Sequence, residues 1–242
     1  MIFAAGLGTR LKPITDTLPK ALVPVGGKTL LEHVVTKLAS QGFDDLVINV
    51  HHHADMIIDF LKEKKNFGLN IAISDERDLL LETGGGIRKA ASLLDDEPFL
   101  VHNVDILSNA DLKSLYNQHL DSKNTVTLLV NDRQTSRYLL FDEQQRMCGW
   151  LNKKTGEVKS PVFDFHPCDY QQYAFSGIHV VSPDVFKWMN DYPEKFPIMD
   201  FYIENAANFR IGAAVDNQLR LIDVGKLDTL KEAEERIKEF IA

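Results

Sequence analysis

Along the first half of the chain, short apolar runs alternate with longer stretches of helical period. "MIFAA", "DLVINV", "NIAIS" and "PFLVHNV" read as buried strands, because strands covered on both faces lose the polar–apolar alternation of a half-exposed sheet. Between them the clearest helix is expected over residues 29 to 41, where Leu30, Leu31, Val34, Val35 and Leu38 form one stripe. Thr29 with Glu32 makes a capping box, and Gly42 suits the C-terminal cap. Further helices are expected near 55 to 65, 86 to 95 and 109 to 120, with Asp55 and Ser108 or Asn109 as caps.

After residue 124 the period shortens to that of antiparallel strands, "TVTLLV", "RYLLFDE" and "MCGWLN", the latter two joined by a polar turn. "YAFSGIHVV" reads as a strand leading to a helix at 183 to 190, "AAVDNQLRLIDVG" as a last strand pair, and 228 to 241 as a charged helix. The pattern predicts an α/β fold: a Rossmann-like, doubly wound, mostly parallel sheet with a smaller β-rich lobe. No linker or repeat interrupts residues 1–242, so one domain is expected, with a core over about 1–123 and the β-rich lobe over about 124–242. Ligands of such sheets bind beyond the carboxyl ends of the strands, so the loops starting at residues 5, 50, 75 and 103 should border one site.

Composition narrows the classes. The apolar share of 44% suffices for a core, and the net charge of −8 argues against nucleic acid as a partner, which would need a basic face. Cys148 and Cys168 match no disulfide framework or metal spacing, which favours a reduced, cytoplasmic setting. No run reaches the length of a membrane helix, and the N-terminus shows no export signal. Membrane is therefore not an expected partner.

"IFAAGLGTR" sends a strand into a glycine turn. The dinucleotide fingerprint fails here because Leu11 stands where the third glycine belongs, and "LVPVGGKTL" fails as a P-loop because Leu22 holds the first glycine position. What remains is a nest: Gly6 and Gly8 allow amides to turn toward phosphate oxygens, and Arg10 and Lys20 add the cations that a triphosphate needs. Two apolar runs, "FLVHNVD" and "LRLIDVG", each deliver an aspartate, Asp105 and Asp223, to the ligand edge. Two carboxylates opposite a phosphate cradle suit Mg²⁺, whose other positions substrate phosphates can fill.

"IFAAGLGTRLKPITDTLPKALVPV", "LLETGGGIRKA", "NVD", "SGIHVV" and "LIDVGKLDTL" together resemble, in order and over nearly the whole chain, the sugar-1-phosphate nucleotidyltransferases. Within that superfamily the "ETGGG" segment and the short length are most similar to the N-acetylmuramate-1-phosphate uridylyltransferase branch. The resemblance implies Mg²⁺-dependent transfer from an NTP, UTP by this branch, to a sugar 1-phosphate, with release of pyrophosphate. It implies that Ala4, Ala5, Gly6, Leu7, Gly8, Thr9 and Arg10 hold the triphosphate, with Arg10 at the departing pyrophosphate and Lys20 at the phosphates being joined. Arg10 and Lys20 would be catalytic, Asp105 and Asp223 would hold the metal, and Glu82, Thr83, Gly84 and Gly85 would lie beside base and ribose. The second lobe would bind the sugar, with Gly177, Asn103 and Asp200 as candidates. A monomer or small homo-oligomer is expected.

The same motifs leave room for a mannose-1-phosphate guanylyltransferase, for a pyrimidine transferase acting on another sugar or on phosphocholine, and for a catalytically silent nucleotide-sugar-binding regulatory protein. Val104 departs from the family's small residue before the aspartate and is expected to alter the sugar pocket. His51, His52 and His53 look like a metal cluster, but neighbours on an extended strand point to opposite faces, so a loop bordering the nucleotide is the better expectation.

Overall fold

The computed structural model describes residues 1–94 and 96–240. In chain order its elements are β1 (Ile2–Phe3), β2 (Pro24–Val25), β3 (Lys28–Thr29), α1 (Leu30–Ser40), β4 (Asp45–Val50), α2 (Ala54–Glu63), β5 (Asn70–Asp75), α3 (Glu82–Lys89), β6 (Phe99–Asn103), β7 (Ile106–Ser108) and α4 (Leu112–Asp121). The second half contributes β8 (Val126–Asn131), β9 (Arg137–Phe141), β10 (Met147–Asn152), β11 (Glu157–Lys159), β12 (Gln171–Val181), α5 (Phe186–Met189), α6 (Ile198–Asn205), β13 (Ile211–Val215), β14 (Leu221–Asp223) and α7 (Leu227–Arg236).

One sheet runs β11-β10-β9-β12-β6-β1-β4-β5, with β8 pairing both β12 and β13. The β6-β1-β4-β5 half is parallel, with Ile2 opposite both Ile48 and His102. The chain leaves β1 toward β4 and β5, then returns through α3 to β6 on the other side of β1. Strand order therefore reverses at β1, the point where open α/β sheets bind ligands. The expected α/β class, a mixed central sheet with helices, is the class found.

Alternate residues of each strand enter opposite faces. Ile2, Ile48 and Leu100 pack with α1, α2 and α4, whereas Met1, Val47, Phe99 and Val101 pack with α3 and α6. β12 belongs to both halves of the sheet: Ile178–Val181 pair with β6, and Gln171–Tyr173 pair with β9. Between these segments its register on β8 shifts from Phe175 opposite Val130 to His179 opposite Leu128, and Gly177 sits in this bulge at φ 81.

Thr29 caps α1 by accepting from the Glu32 amide at 3.0 Å, and Gly42 takes the left-handed conformation at its end. Other boundaries differ from expectation. α2 begins after His53, in the left-handed region, and Asp55 instead pairs with Arg77 at 2.9 Å. α4 is capped by Asp111, because Asn109 is occupied in bonding both N–H and side chain to Arg220. α3 starts at Glu82, earlier than expected, since the carbonyl of Phe196 accepts from the Gly84 and Gly85 amides at 2.9 and 3.2 Å and so serves as its cap. The strands over 211–215 and 221–223 do not pair with each other: β13 joins β8 in parallel and β14 joins β7 antiparallel. The expected helices over 86 to 95 and 228 to 241 end on Asp95 and Ile241, which lie outside the described residues.

Candidate active site

The loops after β1, β5 and β6, together with Asn49 near the end of β4, converge on a cavity of about 330 Å³ lined by Phe3, Ala4, Ala5, Gly6, Lys20, Asn49, Leu80, Glu82, Thr83, Asn103, Val104 and Asp105; the loop after β4 does not line it. A second cavity, of about 660 Å³, lies beside the β12 bulge and is lined by Asn103, Gly177, Asp200, Asp223, Arg133, Arg137 and Lys159 among others. Asn103, at the end of β6, belongs to both. Two concave spaces thus meet at the end of a single strand, with Asp105 on one side and Asp223 on the other.

The glycine turn is anchored from below. Asn49 Oδ1 accepts the amides of Ala4 and Ala5 at 2.7 and 3.3 Å, and Thr15 Oγ1 donates to the Gly8 carbonyl at 2.8 Å. With those bonds made, the amides of Gly6, Leu7, Gly8, Thr9 and Arg10 donate to no group among the described residues. A run of unpartnered amides beside the carboxyl end of a strand is an anion cradle. Ala4, Ala5 and Gly6 line the smaller cavity, while Leu7, Gly8, Thr9 and Arg10 carry the loop outward from it. Arg10 reaches toward the end of β14, where a Cβ on Gly225 would lie 2.7 Å from Asp223 Oδ1 and 2.9 Å from Arg10 Nη2.

The aspartates are brought together by strand pairing rather than by sequence proximity. β14 pairs with β7, placing Asp223 opposite Ile106, next to Asp105. Lys20 Nζ bonds Asp105 Oδ2, and both side chains are largely buried. Withdrawal from water, and then the neighbouring Asp105 carboxylate, raise the Asp223 pKa, against which Lys20 and Arg10 act. Among the described residues no group of three or more His, Cys, Asp or Glu side chains could hold a metal, so any ion here would rest on this pair and on ligand oxygens.

The "ETGGG" segment divides. Glu82 and Thr83 line the cavity, with Glu82 in the left-handed region at φ 61 and 3.7 Å from Lys195. Thr83 Oγ1 accepts from the Ile198 amide at 2.9 Å, tying α3 to α6. Gly84 and Gly85 are buried, their amides donate to the Phe196 carbonyl, and neither lines the smaller cavity. Their smallness serves a helix-to-loop contact: a Cβ on Gly84 would fall 2.2 Å from the Phe196 ring.

On the other side, Asn103, Gly177 and Asp200 do share one cavity. Gly177 lies against Asn103, since a Cβ there would be 2.8 Å from Asn103 Nδ2. Asp200, on α6, is paired with Lys159 at 3.0 Å. Val104 is buried in the core and borders the smaller cavity and not the larger one. His51 Nδ1 bonds the Glu76 carbonyl at 2.7 Å and His52 packs on His53 at 3.8 Å; none of the three lines either cavity.

Sequence reasoning missed Asn49 and Leu80 in the smaller cavity and Arg133, Arg137 and Lys159 in the larger. Asn49 left a signal, as the lone amide in the apolar run "DLVINV". The three cations left none, because the β9–β10–β11 pairing brings Arg137 and Lys159 together while Arg133 is held by the carbonyls of Ala174 and Phe175 on β12.

The fold is that of an α/β protein whose strand order reverses at β1, with a run of open amides and a carboxylate pair at that reversal. The chain belongs to the nucleotidyl transferase family, whose model matches residues 1–239. Over 107 residues it is 47% identical to N-acetylmuramate alpha-1-phosphate uridylyltransferase of Caulobacter vibrioides, covering 43% of this chain and 44% of that protein. Over 190 residues it is 31% identical to mannose-1-phosphate guanyltransferase of Yarrowia lipolytica, covering 76% of this chain and 49% of that protein. The chain thus spans about half the length of the curated relatives it matches. Among solved structures, HddC from Yersinia pseudotuberculosis, complexed with GMP-PN, superposes with a TM-score of 0.75 at 25% identity, covering 98% of this chain and 97% of that one. Among the described residues no helix is long and apolar enough to cross a membrane.

Proposed function

We propose that the protein transfers a nucleotidyl group from an NTP, UTP by preference, to a sugar 1-phosphate, N-acetylmuramate 1-phosphate being the favoured acceptor, in the cytoplasm. The observation that carries this reading is the sharing of Asn103 by two cavities, one walled by the glycine loop and the other by the β12 bulge. An oxygen of the sugar phosphate attacks the α-phosphorus, the bond from that phosphorus to the bridging oxygen breaks, and pyrophosphate leaves with the electron pair. The open amides of Gly6 to Arg10 hold phosphate oxygens, Arg10 meets the charge growing on the leaving group, and Lys20 offers an ammonium where the two phosphates meet.

Asp105 and Asp223 would hold Mg²⁺. The Asp223 pKa is raised by burial first and by the neighbouring Asp105 carboxylate second, and a partly buried pair of carboxylates is a donor set that suits a hard divalent cation. When bound, the ion would neutralise charge on the phosphates.

The 47% identity to a uridylyltransferase supports UTP and the muramate acceptor. The longer match to a guanyltransferase supports GTP and mannose 1-phosphate as the second reading. Pyrophosphate release across the four NTPs, each against a panel of sugar 1-phosphates, decides between them. Turnover confined to UTP with N-acetylmuramate 1-phosphate is the expected result. Turnover with GTP and mannose 1-phosphate would replace it, and a blank grid with retained nucleotide-sugar binding would make the protein a regulatory one.

A further inference from the structure

Glu76 follows β5 and is fully buried, at 0% exposure, and no Lys or Arg pairs with it among the described residues. Its Oε1 accepts from Asn49 Nδ2 at 2.7 Å and its Oε2 from the Leu81 amide at 3.2 Å. The direction of these bonds is forced. Main-chain amides can only donate, so Asn49 must present its oxygen to Ala4 and Ala5 and its NH₂ to Glu76, and both carboxyl oxygens of Glu76 must accept. A carboxylate meets that demand, while an amide would set a donor against a donor at one end.

The third glycine of "ETGGG" has its reason here. A Cβ on Gly86 would lie 2.8 Å from Glu76 Oε1 and 3.2 Å from Asn49 Nδ2, so the bare backbone gives the pair its room. One carboxylate thereby fixes both walls of the smaller cavity: Ala4–Gly6 through Asn49, and Leu80–Thr83 through Leu81. Burial raises the Glu76 pKa, and the hydrogen bonds from Asn49 and Leu81, with the charge of Lys89, act against it.

We propose that Glu76 is a positioning residue for nucleotide binding, acting through Asn49 to orient the glycine loop and through Leu81 to set the opposite wall. Its importance for turnover rests on the reading of that loop as a triphosphate cradle. Its structural consequence does not, and the test separates the two.

Glu76→Gln, Asn49→Asp and the double variant are compared in the full chain by amide hydrogen exchange and by steady-state kinetics. Each single substitution leaves a donor facing a donor or two carboxylates facing each other. Exchange in peptides covering 4–10 and 80–83 is expected to accelerate about tenfold, and KM for the NTP to rise about as much, the cost of one mismatched buried hydrogen bond. KM for the sugar 1-phosphate and exchange in the β9–β10 hairpin are expected to stay at wild-type values. In the double variant the carboxylate at position 49 accepts from Ala4, Ala5 and the amide at position 76, so exchange protection is expected to return.

Glu76→Gln with wild-type exchange at 4–10, or a double variant no better protected than either single one, would overturn the proposal. Acceleration spread evenly over the parallel sheet would reduce Glu76 to a fold-stabilising residue and overturn it equally. If wild-type protein binds no NTP, the proposed function fails while exchange still decides the role of Glu76.

Discussion

The main-chain amide of Val224 donates to the carbonyl of Asp105 at 2.8 Å. That single bond extends the β7–β14 ladder by one step and holds the two aspartates at a fixed offset although 118 positions separate Asp105 from Asp223 (223 − 105). The carboxylates are therefore close before any ligand arrives, and their repulsion is built into the folded state.

Asp223→Asn should stabilise the ligand-free protein. The folded-state pKa of Asp223 is raised above its ordinary 3.8, so its ionised form is disfavoured by folding, and the stability it contributes is lost as pH rises through the raised value. The Tm advantage of Asp223→Asn over wild type is expected to grow as pH rises from the ordinary carboxylate range toward neutrality. Scanning Tm against pH checks this; a difference that stays constant would mean that folding does not raise the Asp223 pKa. Added Mg²⁺ is expected to raise the Tm of wild type and not that of the variant.

Asp105→Asn should lower turnover by about 10²- to 10³-fold, the usual scale for removing a group that stabilises transferring charge. Lys20 would lose its charged partner but retain a hydrogen-bond acceptor, so the fold should persist. Pyrophosphate release and circular dichroism, measured on the same preparation, test both halves of the statement.

Gly84→Ala should act on stability. The added methyl would sit 2.2 Å from Phe196 Cε2 and 2.9 Å from its carbonyl oxygen, and overpacking of this kind costs about 1–3 kcal/mol. Chemical denaturation measures the loss. KM for the NTP should move less than in Glu76→Gln, because Gly84 does not face the cavity.

Acid should weaken the fold through three histidines. Burial lowers the pKa of His102 and His119 from 6.5 to about 4, and that of His179 to about 3. Each stays neutral when folded and takes up a proton on unfolding. The stability so contributed is complete above 6.5 and is lost as pH falls toward the folded-state values. Between 6.5 and those values each can contribute up to about 1.4 kcal/mol per pH unit to the slope of stability. Replacing His119, whose ring bridges Thr127 and Ser182, by Gln should flatten that slope by one histidine's share.

The parallel half of the sheet was legible because its strands announce themselves as unbroken apolar runs, and α1 because its stripe and cap agree. The start of α3 was not, since its cap is the carbonyl of Phe196, supplied from far along the chain. The partners of β13 and β14 were equally hidden. Their side chains go to different cores, Ile211 to the α6 side and Ile222 to the α1 side, and no local period reports that. Within the site, Asp105 and Asp223 could be named from their strand-end settings and Lys20 as a cation following the glycine turn, and the three are found together. The glycines at 84 and 85 could be named but not assigned, because a glycine that admits a phenylalanine ring and one that admits a ligand read alike.

The long strand β12 is pinned to β6 at one end and to β9 at the other. A hinge needs a segment that belongs to neither side, and this strand belongs to both. The molecule is accordingly a jig and not a clamp: the separation between the two cavities is set by a beam of sheet.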